Sequence, residues 1–298
     1  ASELLAYYED DKSGRQDWED AYTDGLGLLG VKYESREQPF RGASGVTHPL
    51  IAEAITQFQA QAYKELLPSS GPVRTQVVGA ATPDVESQSK RVQEFMNLQI
   101  MHVMDEYDPE MDRLLFYLPL AGSAFKKVYF DDMLDRAVSR FVPADDLLVP
   151  YNATDLSSAS RVTHVIRMNT NDVRKFQAAG FYQDVELLPY DDADELREKE
   201  RNLIGIEKTG GDEQDCTLLE VHTDLDLPGF EHESPFDGEK TGIKLPYIVT
   251  IDEGSSKILA LRRNWREGDE FYRKIQYFSH YKFLPGLGFY GFGLLHMI

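Results

Sequence analysis

Apolar positions in the first part of the chain recur every three or four residues, which is the spacing of amphipathic helices. Residues 1–24 are predicted to form one helix that ends in the glycine-rich stretch "DGLGLLG". A second helix is predicted over residues 49–66, where apolar side chains share one face: Ile51, Ile55, Phe58, Ala62 and Leu66. The longest helix is predicted from Val85 to about Tyr107, and Pro109 opens another through Leu118. Between these helices, "VRTQVVG" alternates as a strand does.

The pattern changes at Phe125, where short alternating runs predict β-strands. These runs are "FKKVYF", "AVSRFV", "DLLVPY", "SRVTHVIRM" and "CTLLEVHTDLDL", followed by a hairpin in "LPYIVTIDEGSSKILALRRNW" and a third strand in "YRKIQYFSHYKFLPG". Two helices interrupt the strands: "NTNDVRKFQAAG", stopped by Gly180, and the charged "DDADELREKERNLIG", whose thin apolar side predicts an exposed helix. Helices that precede antiparallel strands predict an α+β fold.

The charge balance restricts the possible partners. The chain has 31 basic and 51 acidic residues, a net charge of −20. Such a chain repels nucleic acid on average, which argues against tight wrapping of DNA but leaves contact with DNA open. The single cysteine, Cys216, rules out an internal disulfide and a Cys-based zinc site. The longest apolar stretches are far below the length of a membrane span, so no membrane partner is expected.

The best metal-binding candidate is "HTDLDL", which contains His222, Asp224 and Asp226. On a strand these three side chains point to one face, where they could hold a divalent cation and support metal-dependent hydrolysis. Asp237 and Glu239 could add to such a site only if their segment folded back. The simpler interpretation is the polar outer face of a strand whose inner face carries Val221, Leu225 and Leu227, and we favour it.

The sequence contains none of the strong catalytic motifs HExxH, GxSxG and the P-loop. We therefore predict a protein that is not an enzyme, with no catalytic, cofactor-binding or metal-binding residue to assign. "HYKF" and "FKKVYF" mix basic and aromatic residues, as surfaces that stack and clamp nucleic acid do. On a strand the same mixture indicates alternating faces, with Phe125 inside and Lys126 outside, and we favour this interpretation.

Several stretches resemble one protein family. They are "PFRGASGVTHPLIAEAITQFQAQAYKELLPSSGPVRTQVVG", "RVQEFMNLQIMHVMDEYDPEMDRLLFYLPLAGSAFKKVYFD", "VPADDLLVPYNATDLSSASRVTHVIRM", and the region from "LPYIVTID" to "HYKFLPGLGFYGFGLLHMI". Together they cover most of residues 37–298 and resemble the portal proteins of tailed bacteriophages, of the type carried by short-tailed phages.

The resemblance implies a structural subunit. Portal proteins form a ring of twelve subunits at one vertex of the capsid, and double-stranded DNA enters and leaves through the axial channel without sequence-specific contacts. The implied partners are the large terminase subunit, which is the packaging motor, the major capsid and scaffolding proteins, and the tail adaptor proteins. The expected location is the portal vertex of the virion, after assembly in the host cytoplasm, and no cofactor is expected.

The resemblance also implies a domain organisation. Residues 1–282 correspond to the portal wing domain, helical over 1–120 and strand-rich over 121–282. Residues 283–298 correspond to the junction that leads into the first stem helix. In this junction "GFYGFG" is expected to turn the backbone with glycines where side chains would obstruct, and "LLHMI" is expected to begin a helix. The rest of the stem, the clip and the crown of the family are not present in these 298 residues.

Overall fold

The fold is described from a computed structural model. It describes residues 1–29, 40–42, 48–188, 195–203, 205, 215–234, 237–286 and 288–297. The α-helices are α1 (Ser2–Gly14), α2 (Gln16–Leu26), α3 (Leu50–Leu66), α4 (Pro83–Leu98), α5 (Tyr107–Ala121), α6 (Thr170–Ala178) and α7 (Glu195–Leu203). The strands are β1 (Ser123–Asp131), β2 (Arg136–Pro143), β3 (Leu147–Leu148), β4 (Arg161–Asn169), β5 (Asp215–Leu225), β6 (Leu245–Asp252), β7 (Lys257–Arg263) and β8 (Phe278–Lys282). This arrangement confirms the α+β fold class.

The chain forms two compact units. The first comprises Ala1–Gly27, Ala144–Gln276 and Leu287–Phe289. It is built on the antiparallel sheet β3-β4-β5-β6-β7. Its core joins α1 to the sheet through Leu4, Tyr8, Leu148, Val165, Leu219, Val221, Val249 and Ile251. Burial of these side chains stabilises the unit by about 25 cal/mol for each Å² of apolar surface removed from water.

The second unit comprises Leu28–Pro143, Tyr277–Gly286 and Tyr290–Ile298. It contains the antiparallel sheet β2-β1-β8 together with α3, α4 and α5. The expected wing domain, residues 1–282, contributes to both units. Only Phe278–Lys282 of the predicted third strand is a strand, and this strand (β8) pairs with β1 and not with the β6–β7 hairpin.

The single helix predicted over residues 1–24 is wrong, because the chain leaves the helix at Arg15 and starts again as α2. Arg15 is buried, and its guanidinium donates to the carbonyl of Ala144 at 2.9 Å and to that of Asp145 at 2.6 Å. A buried guanidinium must be hydrogen-bonded. The break between α1 and α2 therefore falls at Arg15, whose side chain hydrogen-bonds to the backbone of the segment before β3.

The strand predicted for "VRTQVVG" is also wrong, since residues 73–79 are irregular. Side chains of α4 take the backbone hydrogen bonds that a neighbouring strand would have taken. Val73 N donates to Asn97 Oδ1 at 2.9 Å, Asn97 Nδ2 donates to Val73 O at 3.1 Å, and Thr75 N donates to Gln93 Oε1 at 3.2 Å. The segment thus lies along α4, and the half-buried backbone groups of Val73 and Thr75 are hydrogen-bonded without a sheet.

The long helix predicted from Val85 to about Tyr107 consists of two parts. The α-helix ends at Leu98, and the chain continues as a π-helical turn over Gln99–Val103. At the end of this turn Met104 N donates to Gln99 O at 2.9 Å. The chain then breaks before α5, which carries Pro109 in its first turn, where a missing N–H costs nothing.

Candidate functional site: an exposed helical face and three charged clusters

The candidate metal-binding residues do not converge. His222 lies in β5 with only 3% of its surface exposed, and its Nε2 is 2.7 Å from Glu220 Oε1. Asp224 is exposed, and Asp226 lies beyond the end of β5 and is also exposed. The expectation that His222 lies on a polar outer face is wrong, because both faces of β5 are covered around Val221 and His222. Among the described residues, no group of three or more His, Cys, Asp or Glu side chains could hold a metal ion.

Lys126 is buried, contrary to the prediction that it lies outside while Phe125 lies inside. Phe125 is fully buried, as predicted, but Lys126 is only 3% exposed. Its Nζ lies 3.7 Å from the centroid of the Tyr107 ring, at the start of α5, and has no hydrogen-bond partner in the described part of the chain. Burial lowers the pKa of Lys126 to about 8, although Glu110 and Glu106 oppose the shift. The aromatic face therefore provides the contact that stabilises this buried ammonium.

Two carboxylates at the start of α5 bond to the backbone of β2. Glu106 Oε1 accepts from Ser139 N at 3.2 Å, and Glu110 Oε2 accepts from Phe141 N at 2.8 Å. Glu106 also pairs with Arg136, with 2.8 Å between Oε2 and Nη2. Burial by itself would raise the pKa of Glu106, but hydrogen bonds from Arg136 and the backbone outweigh it and lower that pKa.

A charged cluster in the first unit holds α7, which the sequence predicted to be exposed. Arg197 of α7 pairs with Asp145 at 2.9 Å and also with Asp146, and Arg167 Nη1 lies 2.5 Å from Asp146 Oδ1. Tyr22 donates its hydroxyl to Glu200 Oε1 at 3.1 Å. The expectation of an exposed helix is therefore wrong for one face.

The apolar contact of α7 explains that error. Leu196, one of the few apolar residues of the helix, is almost completely buried.

Burial, followed by the charge of Asp145, raises the pKa of Glu200 to about 7. The cluster thus contains more carboxylates than a balanced set of ion pairs would need, and burial raises the pKa of Asp146 as well as that of Glu200.

The glycines near the end of the chain allow close backbone contacts, as predicted for "GFYGFG". A Cβ on Gly293 would lie 2.2 Å from the Leu120 carbonyl oxygen, and a Cβ on Gly291 would lie 2.6 Å from the Gly122 carbonyl oxygen. Gly291 N also donates to Ser123 Oγ at 2.7 Å. Residues 291–293 therefore lie directly against the end of α5, and Leu294–Met297 then form a short 3₁₀ turn.

The most unusual surface belongs to α4. None of the sixteen residues of this helix is buried. Its exposed apolar side chains are Val85, Val92, Phe95, Met96 and Leu98, and Phe95 is 61% exposed. The adjoining segment adds Val78, which is 93% exposed. A helix gains most of its stability by packing an apolar face against other elements, so the exposed apolar side chains of α4 form a candidate contact surface.

A groove runs between α4 and the adjoining segment. It has a volume of about 310 Å³ and is lined by Thr75, Gln76, Val77, Val78, Val85, Gln88, Ser89 and Val92. Side-chain bonds between the segment and α4 fix one wall of this groove. We call this surface, formed by residues 75–78 and the N-terminal half of α4, the α4 groove.

None of the described helices is both long and apolar enough to cross a membrane. No protein-family model and no curated protein sequence matches the chain.

Proposed function

We propose that this chain is a structural subunit of a phage portal ring, located at one vertex of the capsid and passing double-stranded DNA through an axial channel. On this proposal it also forms the docking site for the terminase motor and the tail adaptor proteins, and it contacts capsid and scaffolding proteins. It performs no chemistry. The proposal starts from the resemblance of residues 39–79, 91–131, 142–168 and 245–298 to portal proteins.

The observation that carries the proposal is the exposed apolar face of α4. A sixteen-residue helix that buries none of its residues is expected to be covered in an assembly. Identical subunits that use two different surfaces for contact form a ring when the rotation between them closes. An assembly subunit therefore explains a feature that a free-standing monomer does not explain.

The acidity of the chain supports the same proposal. Affinity for DNA rises with the number of phosphates that Lys and Arg neutralise, and acidic residues exceed basic ones by twenty in this chain. A channel through which DNA slides requires few such contacts. A charge of this sign is thus compatible with a conduit and unfavourable for a protein that clamps DNA.

The test is the assembly state of the 298-residue chain, measured by native mass spectrometry and negative-stain electron microscopy. We expect rings of about twelve subunits with an axial hole, as the resemblance implies. A monomer at micromolar concentration would overturn the proposal. A small closed dimer would also overturn it and would favour a different virion assembly protein.

A matched pair of variants links the ring to α4. Phe95→Ser removes an exposed aromatic from the α4 face, whereas Phe271→Ser removes one that is 75% exposed in the other unit. We expect the first variant to lose most of the ring and the second to retain it. Circular dichroism spectra that match the unsubstituted chain would show that both variants remain folded.

A further inference from the structure

Strand β7 lies at one end of the five-stranded sheet, so among the described strands its backbone has a neighbour, β6, on one side only. Asn264 N donates to Pro246 O at 3.0 Å, which fixes the hydrogen-bonding pattern of the β6–β7 pair. Because bonded and non-bonded positions alternate in an antiparallel pair, Arg262 bonds to β6, whereas Leu261 and Arg263 direct their N–H and C=O groups outwards.

The described part of the chain covers only the first half of this outer edge. Gln183 N donates to Leu259 O at 2.7 Å, so the segment around Gln183 lies beside the start of the strand. Gln177 Nε2 donates to the Gln183 carbonyl at 3.0 Å and holds that segment in place. None of the hydrogen bonds among the described residues reaches the outer side of residues 261–263. We call these three residues the β7 edge site.

The β7 edge site differs from the edge of the other sheet at β2. There, the side chains of Glu106 and Glu110 already accept from backbone N–H groups of the strand. Folded proteins cover or block the edges of their sheets, because unpaired backbone groups are a template for another strand. Leu261 is 45% exposed and Arg263 is also exposed, so a partner can reach the outward groups of the β7 edge site.

The side chains at the β7 edge site are positively charged. Arg262 and Arg263 are consecutive strand residues, so their side chains lie on opposite faces of the sheet, and both are exposed. Residues 257–266 contain four basic residues and no Asp or Glu, in a chain whose net charge is −20. The nearest acidic residues in sequence and along the edge are Glu267, in the loop that follows, and Asp184, in the segment that covers the start of the strand.

An aromatic ring lies beside each of the two arginines. The guanidinium carbon of Arg262 lies 5.5 Å from the centroid of the Phe181 ring, and that of Arg263 lies 5.7 Å from the centroid of the Trp265 ring. Stacking of this kind leaves the N–H groups of a guanidinium able to bind a carboxylate. Among the described residues, neither arginine forms an ion pair, so both are available to a partner.

We propose that the β7 edge site binds an extended, acidic segment of a partner protein as an added strand. Main-chain hydrogen bonds to Leu261 and Arg263 hold the segment, and its carboxylates pair with Arg262 and Arg263 on the two faces of the sheet. The β7 strand of a second copy is an unfavourable partner, because the arginines of both copies would meet across the pair. The inference does not depend on the proposed function, since it requires neither a ring nor the α4 face.

The probe that tests this inference is an acetylated peptide of about eight residues in which Glu and Val alternate, added to the full 298-residue chain. We expect saturable binding with a dissociation constant below about 1 mM. Amide hydrogen exchange, resolved to single residues by mass spectrometry, should slow at Leu261 and Arg263, whose N–H groups face the added strand. The exchange of the Arg262 amide, which already bonds to β6, should not change.

Two control peptides separate strand pairing from general attraction. A peptide of alternating Lys and Val should not bind, because its charges oppose those of the arginines. A peptide of alternating Glu and Pro keeps the acidic charge, but it lacks half of the N–H groups and should bind at least about tenfold more weakly. Equal binding of the Glu–Pro peptide would overturn the proposal, since the attraction would then be electrostatic only.

A matched pair of variants tests the outward backbone group directly. Leu261→Pro removes an outward N–H without removing a hydrogen bond to β6, whereas Leu261→Ala shortens the side chain and keeps that N–H. We expect Leu261→Pro to weaken binding at least about tenfold and Leu261→Ala to weaken it less than about threefold. Circular dichroism and the melting temperature show whether both variants fold. If Leu261→Pro does not fold, unchanged exchange of the Arg263 amide at saturating peptide in the unsubstituted chain would overturn the proposal.

The outcomes also distinguish this inference from the proposed function. Rings by electron microscopy without saturable peptide binding up to about 10 mM would leave the portal proposal standing and overturn the added strand. Peptide binding by a chain that forms no rings would support the added strand and overturn the portal proposal. The absence of both rings and binding would overturn both.

Discussion

The Nζ of Lys126 lies 3.7 Å from the centroid of the Tyr107 ring, so a strand residue and the first residue of α5 form a buried cation–π contact. Glu110 and Glu106, both at the start of α5, are the charges that act on Lys126. Burial of the Lys126 ammonium makes the stability of the second unit sensitive to pH.

We expect stability to rise with pH in the range set by Lys126. Its pKa falls from 10.5 when unfolded to about 8 when folded, so the unfolded state binds the proton more tightly. Between these values the unfolded chain holds more protons, and the free energy of unfolding therefore increases with pH. The full difference corresponds to roughly 3 kcal/mol, reduced by the cation–π contact.

The variant Lys126→Met removes this dependence. We expect it to be more stable than the unsubstituted chain by about 1–2 kcal/mol at pH 7, where the buried ammonium has its greatest cost. Urea denaturation between pH 7 and pH 10 measures both quantities. Lys127→Met, at the neighbouring and less buried residue, is the control. An unchanged pH profile in Lys126→Met would contradict the assignment.

We expect α7 to detach more readily as the pH rises. The pKa of Glu200 is raised from 4.5 to about 7, so its stabilising effect is complete below pH 4.5 and is lost as the pH passes through 7. Amide hydrogen exchange in α7, corrected for the intrinsic rate, should be faster relative to the rest of the unit at pH 8 than at pH 5.5. Glu200→Gln should abolish this difference, whereas Glu198→Gln, at an exposed residue of the same helix, should retain it.

We expect Gly293→Ala to destabilise the second unit. The added Cβ would lie 2.2 Å from the Leu120 carbonyl oxygen, which is backbone and cannot rotate away. Overpacking of this kind costs about 1–3 kcal/mol or more. Gly288→Ala is the matched control, because a Cβ there meets no atom within 4 Å. Equal melting temperatures for the two variants would show that the backbone contact is absent.

We expect weak, non-specific binding to DNA. With twenty more acidic than basic residues, the chain can neutralise few phosphates. Fluorescence anisotropy with a labelled duplex of about thirty base pairs should show no saturable binding near physiological salt, where non-specific dissociation constants are typically about 10⁻⁴–10⁻⁶ M. Sub-micromolar affinity with a steep salt dependence would contradict the conduit proposal.

Elements with a strong local pattern could be predicted from the sequence. Helix α3 and the β6–β7 hairpin fall where periodicity and turn residues placed them, because each follows from residues that are neighbours in the chain. The failures depend on partners that are distant in sequence. Residues 73–79 alternate like a strand, but Gln93 and Asn97 of α4 take their hydrogen bonds.

The burial of charged groups was the least predictable property. Alternation along β1 placed Lys126 in solvent, since period-two patterning cannot reveal that Tyr107 covers the second face. Arg197 and Glu200 gave the charged pattern of an exposed helix, yet they face Asp145 and Tyr22. A charged residue next to a buried apolar residue on a strand or helix is a signal of such pairing. The sequence alone does not identify the partner.

The bonds from Glu106 and Glu110 to β2 have a consequence for association. Strand β2 lies at one end of the sheet β2-β1-β8, where a strand of another molecule could add by β-augmentation. The carboxylates already accept from Ser139 N and Phe141 N, so this position is not available as a template. This edge of the sheet therefore cannot be extended by a strand of another copy, and a contact at β2 is made by side chains.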